Sequence, residues 1–455
     1  MHEHLSDVEL ARYANDPQSI PAERRRFIER ETGRCATCRT SLDYLSMMSP
    51  EELEEVELGE EAAGVDWRSS DDPMTALLHR IEAEDRAADE LLAEMKLLSS
   101  PAKMAFTDVH RDRRLLTGGV ARRLAAHAHQ IHEDEPLDAV TFADAAIVIA
   151  ESLPEDAYPR KAVYEVRGDA WKERANALRV AGGFPSALEA LTHAERAYRN
   201  LESPAFGLAS VALVRAGVLL EQDRLGEAAA LAEKAEMGFA HLVQEERRMR
   251  AVFLRGSITY KAGEVASAVK LFEQVQEYGE DVNSPRWIGR ASYAIGNCEV
   301  DRGNLGEASL QFHRALVIFR EIGPESERLS AEWGLCRVVL HGGQPSEAIR
   351  RLRAVAAEFE KCSMITLSAL VWLDLAEVLL ALGETKQIAE IAARLFQLFK
   401  DAGMMTGALT AVAYMKEAAA AGKLTADGVN AVRTYLRRSS SRPELVFEPP
   451  VEPFR

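Results

Sequence analysis

The sequence predicts an all-α fold, a solenoid of helical hairpins with a period of about 40 residues, and three observations carry that expectation. Gly263, Gly303, Gly343 and Gly383 recur at intervals of 40 residues. Before and after each glycine the apolar residues fall at i, i+4 and i+7, the period of one helix face. The composition is 47% hydrophobic and 28% charged, with aromatics at 7%, which suits a soluble globular chain rich in helix formers.

The first element is a small unit over residues 1–48. Asp7 is suited to start a short helix carrying Leu10 and Tyr13, Pro21 to start a second one, and Gly33 to end it just before Cys35 and Cys38. A turn bearing Cys-x-x-Cys makes two thiolates converge, as tetrahedral zinc requires, and His4 and Glu31 are best placed to complete a metal set of His4, Glu31, Cys35 and Cys38 around one Zn²⁺. Two other readings stay open: a metal-free helical remnant, and a redox-switching thiol pair. So short a segment buries little apolar surface, which is the physical argument for a metal staple. No strand precedes the cysteines, so a thioredoxin-like enzyme is a poor fit.

Residues 49–73, dense in Glu and Asp with Gly, Ser and Pro between, read as an acidic linker. Trp67 stands alone in it, either as a docking anchor or packed on the next helix. Connecting helices are expected over 74–114.

The repeats occupy 115–438. An opening helix pair is predicted at 120–134 and 137–153, six hairpins from about 160 to 403, and a degenerate closing pair that covers the last apolar face. Each glycine ends a helix in a left-handed turn. Five residues on come Ala268, Ala308, Ala348 and Ile388, small enough in three of the four units for close helix approach; four further come Phe272, Phe312, Leu352 and Ala392. The tail 439–455, with Pro443, Pro449, Pro450 and Pro453, is expected to be disordered.

Charge and motif content exclude several classes. A formal net charge of −17 disfavours nucleic acid, whose phosphates demand clustered Lys and Arg. The N-terminus has no signal-peptide pattern and no apolar run is long enough to span a bilayer, so a cytoplasmic protein is expected. Five cysteines form no disulfide framework, and Cys298, Cys336 and Cys362 read as small core residues. No phosphate loop, dinucleotide fingerprint, His-Glu-x-x-His or Gly-x-Ser-x-Gly motif is present, and enzyme function has no positive support. His129 and His132 are the only pair of the AHAHQIH run that a helix brings to one side.

The repeats resemble the tetratricopeptide repeat family. Trp171, Ala175, Ala187 and Ala194 fall on that family's Trp, small, small and Ala positions, and Gly256 and Gly296 take the small position later. The resemblance spans residues 115–438 and implies a right-handed α-solenoid. Its departure is the period: the usual repeat is about 34 residues, so the extra length must lie in longer helices or a longer inter-repeat loop. The N-terminal unit resembles the zinc-binding domain of bacterial anti-sigma factors, with His4, Cys35 and Cys38 matching and Glu31 standing where that family has a second histidine.

Phe253, Tyr293 and Trp333 are also spaced by 40 residues. If the family's frame holds, they face the concave groove with Arg250, Ser257, Tyr260, Arg290, Asn297, Arg337 and His341 near them, and such a ladder could hold a peptide or helix of a partner protein. The alternative is that they pack between helices. Lys172 and Asn176 match two positions of a family variant that clamps carboxylates, but Val214 and Leu254 replace its polar members. The expected function is a non-enzymatic, regulatory interaction scaffold of a bacterial cytosol; the alternative is an anti-sigma-like regulator that sequesters a sigma factor through the N-terminal unit.

Overall fold

The computed structural model describes residues 5, 7–34, 38–39, 42, 73–98, 115–133, 135–153, 158–401, 406–439 and 446–450. Every regular element among them is helical, 19 in all. The chain divides into two compact units, Met1–Ala83 and Glu84–Arg455.

In the first unit α1 (Asp7–Asn15) and α2 (Ala22–Arg34) start where Asp7 and Pro21 predict. Leu5, Leu10, Ala11, Ile28 and Cys38 form a small core, flanked by Tyr13 and Phe27. Arg24 Nε donates to Glu9 at 2.8 Å and Tyr13 Oη to Glu29 at 3.3 Å, tying the two helices. The proposed metal set falls partly outside the described residues, since His4 and Cys35 lie there; Glu31 is half-buried beside Arg30 at 3.4 Å. Trp67 and the acidic linker up to residue 72 also lie outside them.

Helix α3 (Pro73–Leu97) begins on a proline, whose fixed φ suits a first helical position. Its second half buries Ala88, Leu91 and Met95 in a core shared with the first hairpin, α4 (Gly118–Ile131) and α5 (Pro136–Ser152). Glu84 fixes this junction: its carboxylate accepts from the Gly119 amide at 2.9 Å and from Tyr158 Oη at 2.8 Å. Thr117 caps α4, its Oγ1 accepting from Val120 N at 3.2 Å.

Six hairpins follow. They are α6 (Arg160–Val180) with α7 (Phe184–Tyr198), α8 (Ala205–Glu221) with α9 (Leu225–His241), and α10 (Glu245–Lys261) with α11 (Val265–Asp281). Then come α12 (Pro285–Asp301) with α13 (Leu305–Ile322), α14 (Glu325–His341) with α15 (Pro345–Lys361), and α16 (Ile365–Ala381) with α17 (Thr385–Asp401). Each helix packs on its chain neighbours and the first helices of successive hairpins touch, which is the α-solenoid expected. The extra residues of the period sit in the helices, because α10 and α11 each have 17 residues and the turns after them have three.

The turns explain the glycine period. Gly263, Gly303, Gly343 and Gly383 have φ of 86, 77, 75 and 78°, the left-handed region where a Cβ is penalised. The chain then closes back on the helix, as where Glu264 N donates to Thr259 O at 3.0 Å and Asn304 N to Glu299 O at 2.9 Å. The same turn in the α8–α9 hairpin carries Asp223 at φ 60°, so the frame persists there without its glycine.

The core also follows the 40-residue frame. Ala268, Ala308, Ala348 and Ile388 are fully buried, and Phe272 and Phe312 close the space beside them. A second column, Phe239, Phe319, Phe359 and Phe399, is equally buried. Its missing member is Gly279, and there the start of the next helix comes close: a Cβ at Gly279 would stand 3.0 Å from both the Ile288 N and the Trp287 Cβ.

The closing pair, α18 (Thr406–Ala420) and α19 (Ala426–Ser439), departs from the stacking rule. Helix α19 folds back onto α16, a first helix of the preceding hairpin, and buries Val429, Val432, Tyr435 and Leu436 in the common core. Of the tail expected to be disordered, residues 446–450 are described, and Phe447 is buried against Tyr414 and Tyr435 with ring centroids 5.5 and 5.4 Å away.

Candidate functional site

The first helices of hairpins α10–α11, α12–α13 and α14–α15 carry the aromatic series, and none of its members is fully buried or fully exposed. Phe253 lies 5.3 Å from the Phe272 ring and 6.3 Å from Trp287, and Tyr293 lies 5.8 Å from Phe312. Trp333 is half-buried and its Nε1 donates to Asp374 Oδ2 at 2.7 Å. One side of each ring therefore packs on the helical core while part of it remains accessible.

Polar side chains join successive first helices. Tyr260 Oη donates to Asp301 Oδ2 at 2.5 Å, and Arg337 reaches back to Asn297 Oδ1 at 2.9 Å and to Asp301 Oδ1 at 3.2 Å. Asn297 Nδ2 donates to the Tyr293 carbonyl at 3.1 Å, and Ser257 Oγ to the Phe253 carbonyl at 3.1 Å. Tyr260 and Arg337 thus meet on Asp301, and Arg337 brings in Asn297. Burial first, then the Asp301 carboxylate, holds the Tyr260 phenol well above its ordinary range. His341 is exposed at the end of α14.

Arg290 is more engaged than its spacing suggests. Its Nε donates to Glu327 at 2.5 Å and its Nη2 to Glu133 at 2.6 Å, while Arg250 pairs with Glu246 on its own helix at 3.0 Å. The partners Asp301, Asp374, Glu327 and Glu133 were not singled out by sequence reasoning. Two of them had a signal, because Asp301 and Asp374 stand 41 positions after Tyr260 and Trp333, one repeat plus one residue.

At the C-terminal end, Arg433 of α19 places Nη1 2.6 Å from Glu377 and Nη2 2.9 Å from Asp374, both on α16. Burial raises the Asp374 carboxyl above its usual range despite that guanidinium. At the opposite end, Lys172 bridges Asp169 at 2.9 Å and Glu173 at 3.0 Å. Glu173 accepts from His129 Nδ1 at 2.9 Å, and Tyr198 Oη donates to Asp169 at 2.7 Å. Burial opposes charge on Glu173, yet Lys172 and His129 hold its carboxyl down at about 2. Lys172 is therefore committed to internal acids, and Asn176 to Arg179 at 3.1 Å. His132 Nδ1 lies 2.6 Å from the His129 carbonyl and the two rings stack with centroids 5.3 Å apart, so the helix does bring this pair to one side.

Among the described residues no three His, Cys, Asp or Glu side chains converge as a metal site, and no helix is long and apolar enough to cross a membrane. Helical hairpins stacked in this way define the class: an α-helical repeat protein of tetratricopeptide-like build. No family model and no curated protein matches the sequence. Solved structures similar to it include aspartyl phosphate phosphatase F from Bacillus subtilis, at TM-score 0.51 and 12% identity over 88% of this chain and 96% of that one. A Rap protein complexed with competence and sporulation factor aligns at TM-score 0.48 and 14% identity over 78% of this chain and 100% of that one. The Rap conjugation gene regulator of plasmid pLS20, in complex with the Phr* peptide, aligns at TM-score 0.47 and 12% identity over 94% and 98%. At 12% identity the likeness to phosphatase F is one of fold.

Proposed function

We propose that this chain is a non-enzymatic interaction scaffold, regulatory in role, that holds an extended or helical segment of a partner protein along the inner face of its hairpin stack. The observation that carries the reading is the half-exposed series Phe253, Tyr293 and Trp333, one per hairpin, flanked by Arg250, Tyr260, Arg290, Asn297 and Arg337. Aromatic and arginine side chains on a fixed, curved surface are the groups that supply most binding energy at protein interfaces. Native pull-down with the full chain and with Tyr293→Ala tests it. The variant keeps its helicity and captures less partner; a large loss of thermal stability with capture unchanged would make Tyr293 a packing residue and end the proposal.

The N-terminal unit is proposed to hold one zinc on His4, Glu31, Cys35 and Cys38, and to be the part that would engage a sigma factor; both rest on sequence resemblance. Metal analysis of the purified chain is expected to give equimolar zinc that Cys35→Ser abolishes, and a metal-free wild type returns the unit to a helical remnant. Sigma factor captured equally with and without residues 1–48 would remove the regulatory role from this unit.

A further inference from the structure

In a solenoid each hairpin touches its neighbours and little else. Glu133 breaks that rule. It sits on the turn between α4 and α5, in the first hairpin, and its Oε2 accepts from Arg290 Nη2 at 2.6 Å and from Arg286 Nη2 at 3.1 Å on α12, in the fifth. The curvature of the stack brings a carboxylate from one end of the inner face onto two guanidiniums near its middle.

Three features mark this as a seat for an anion. Arg286 has a side chain 60% exposed and Glu133 as its one ion-pair partner among the described residues. Arg250, the equivalent of Arg290 one hairpin earlier, has among the described residues no hydrogen-bond partner for its buried Nε and one ion pair, with the exposed Glu246. Without Glu133, Arg286 and Arg290 keep one carboxylate, Glu327, so this arginine pair is one negative charge short, while Arg179, which also feels Glu133, keeps Glu221. The aromatic rings of Phe253, Trp287 and Tyr293 are carried on the same stretches of α10 and α12.

We propose that Arg286 and Arg290 bind an acidic side chain of the partner segment, and that Glu133 is a resident substitute which occupies the seat until that partner arrives. The proposal rests on the groove reading above and names its chemistry: an acidic segment with an apolar residue beside its carboxylate, the acid on the arginines and the apolar group on the rings. Exchange of one carboxylate for another keeps the charge-assisted hydrogen bonds that favour arginine at such sites. Glu133 is 40% exposed on a turn, so releasing it uncovers no core.

The test uses full-length wild type, Glu133→Gln and Glu133→Gln/Arg290→Gln. The probes are two fluorescent peptides, one alternating glutamate and leucine, the other with glutamine for glutamate, followed by anisotropy at constant salt. The acidic peptide is expected to bind Glu133→Gln about tenfold tighter than wild type, the double variant to lose that gain, and the glutamine peptide to ignore both changes. Equal affinity of the acidic peptide for wild type and Glu133→Gln, an equal gain with the glutamine peptide, or no binding of the acidic peptide to Glu133→Gln would each overturn the proposal. None of those outcomes touches the groove reading, which stands or falls on Tyr293-dependent capture.

Discussion

Gly296 lies under the ring of Phe312: a Cβ at residue 296 would stand 2.8 Å from the ring edge, closer than van der Waals contact allows. Alanine is the better helix former by about 1 kcal/mol, but forcing a methyl into a filled interior costs about 1–3 kcal/mol. Gly296→Ala is therefore expected to lower stability, by up to about 2 kcal/mol. Gly306, on α13 with nothing within 4 Å of its would-be Cβ, is the control, and Gly306→Ala should raise stability by about 0.5–1 kcal/mol. Urea unfolding of the two variants beside wild type decides; the same sign for both would refute the packing argument.

Val243 sits in the turn between α9 and α10 at φ 54° with 85% of its surface exposed. A β-branched side chain in the left-handed region costs about 1–2 kcal/mol, and here no burial offsets it. Val243→Gly is expected to recover about 1 kcal/mol after the entropy cost of glycine, seen as a higher midpoint of thermal unfolding. A lower midpoint would mean that this valine makes a contact worth more than its strain.

Glu173 is held at about 2, against an ordinary value of 4.5, by Lys172 and His129 in spite of its burial. A carboxyl depressed on folding adds stability that is fully present above its unfolded value and is lost as the pH falls through its folded one. Between pH 4.5 and about 2 the wild type should therefore lose stability more steeply than Glu173→Gln. At neutral pH the variant leaves Lys172, 11% exposed, with Asp169 as its one ion-pair partner among the described residues, and a loss of about 3 kcal/mol is expected. Denaturant titrations across that pH range measure both effects.

The fold was legible because one physical preference repeats: a left-handed turn favours glycine, and such a turn follows the first helix of each of the six hairpins from α6 to α17. Asp223 shows the limit of that signal, since its turn has the same geometry without the marker. The column of Phe239, Phe319, Phe359 and Phe399 was equally regular but interrupted at Gly279, where Trp287 and Ile288 of the next helix come close. Cys298 and Cys336 are buried as their apolar setting implied, while Cys362 is half-buried at a helix end. The half-exposed state of Phe253, Tyr293 and Trp333 could not be read from spacing, because it depends on how far each hairpin rotates on the last. The Glu133–Arg290 pair, 157 positions apart, was beyond any local pattern, as it arises from curvature summed over four hairpins.

That same pair changes what the hairpin stack is mechanically. A solenoid with neighbour contacts alone extends like a spring, each coil yielding a little. A carboxylate clasped to two guanidiniums four coils away adds a tie across that compliance, a weak one because the pair is partly exposed. The clasp is partly exposed, and the Debye length shrinks from about 30 Å at 0.01 M to about 10 Å at 0.1 M salt. The stiffness of these coils is thereby tied to the ionic strength around them.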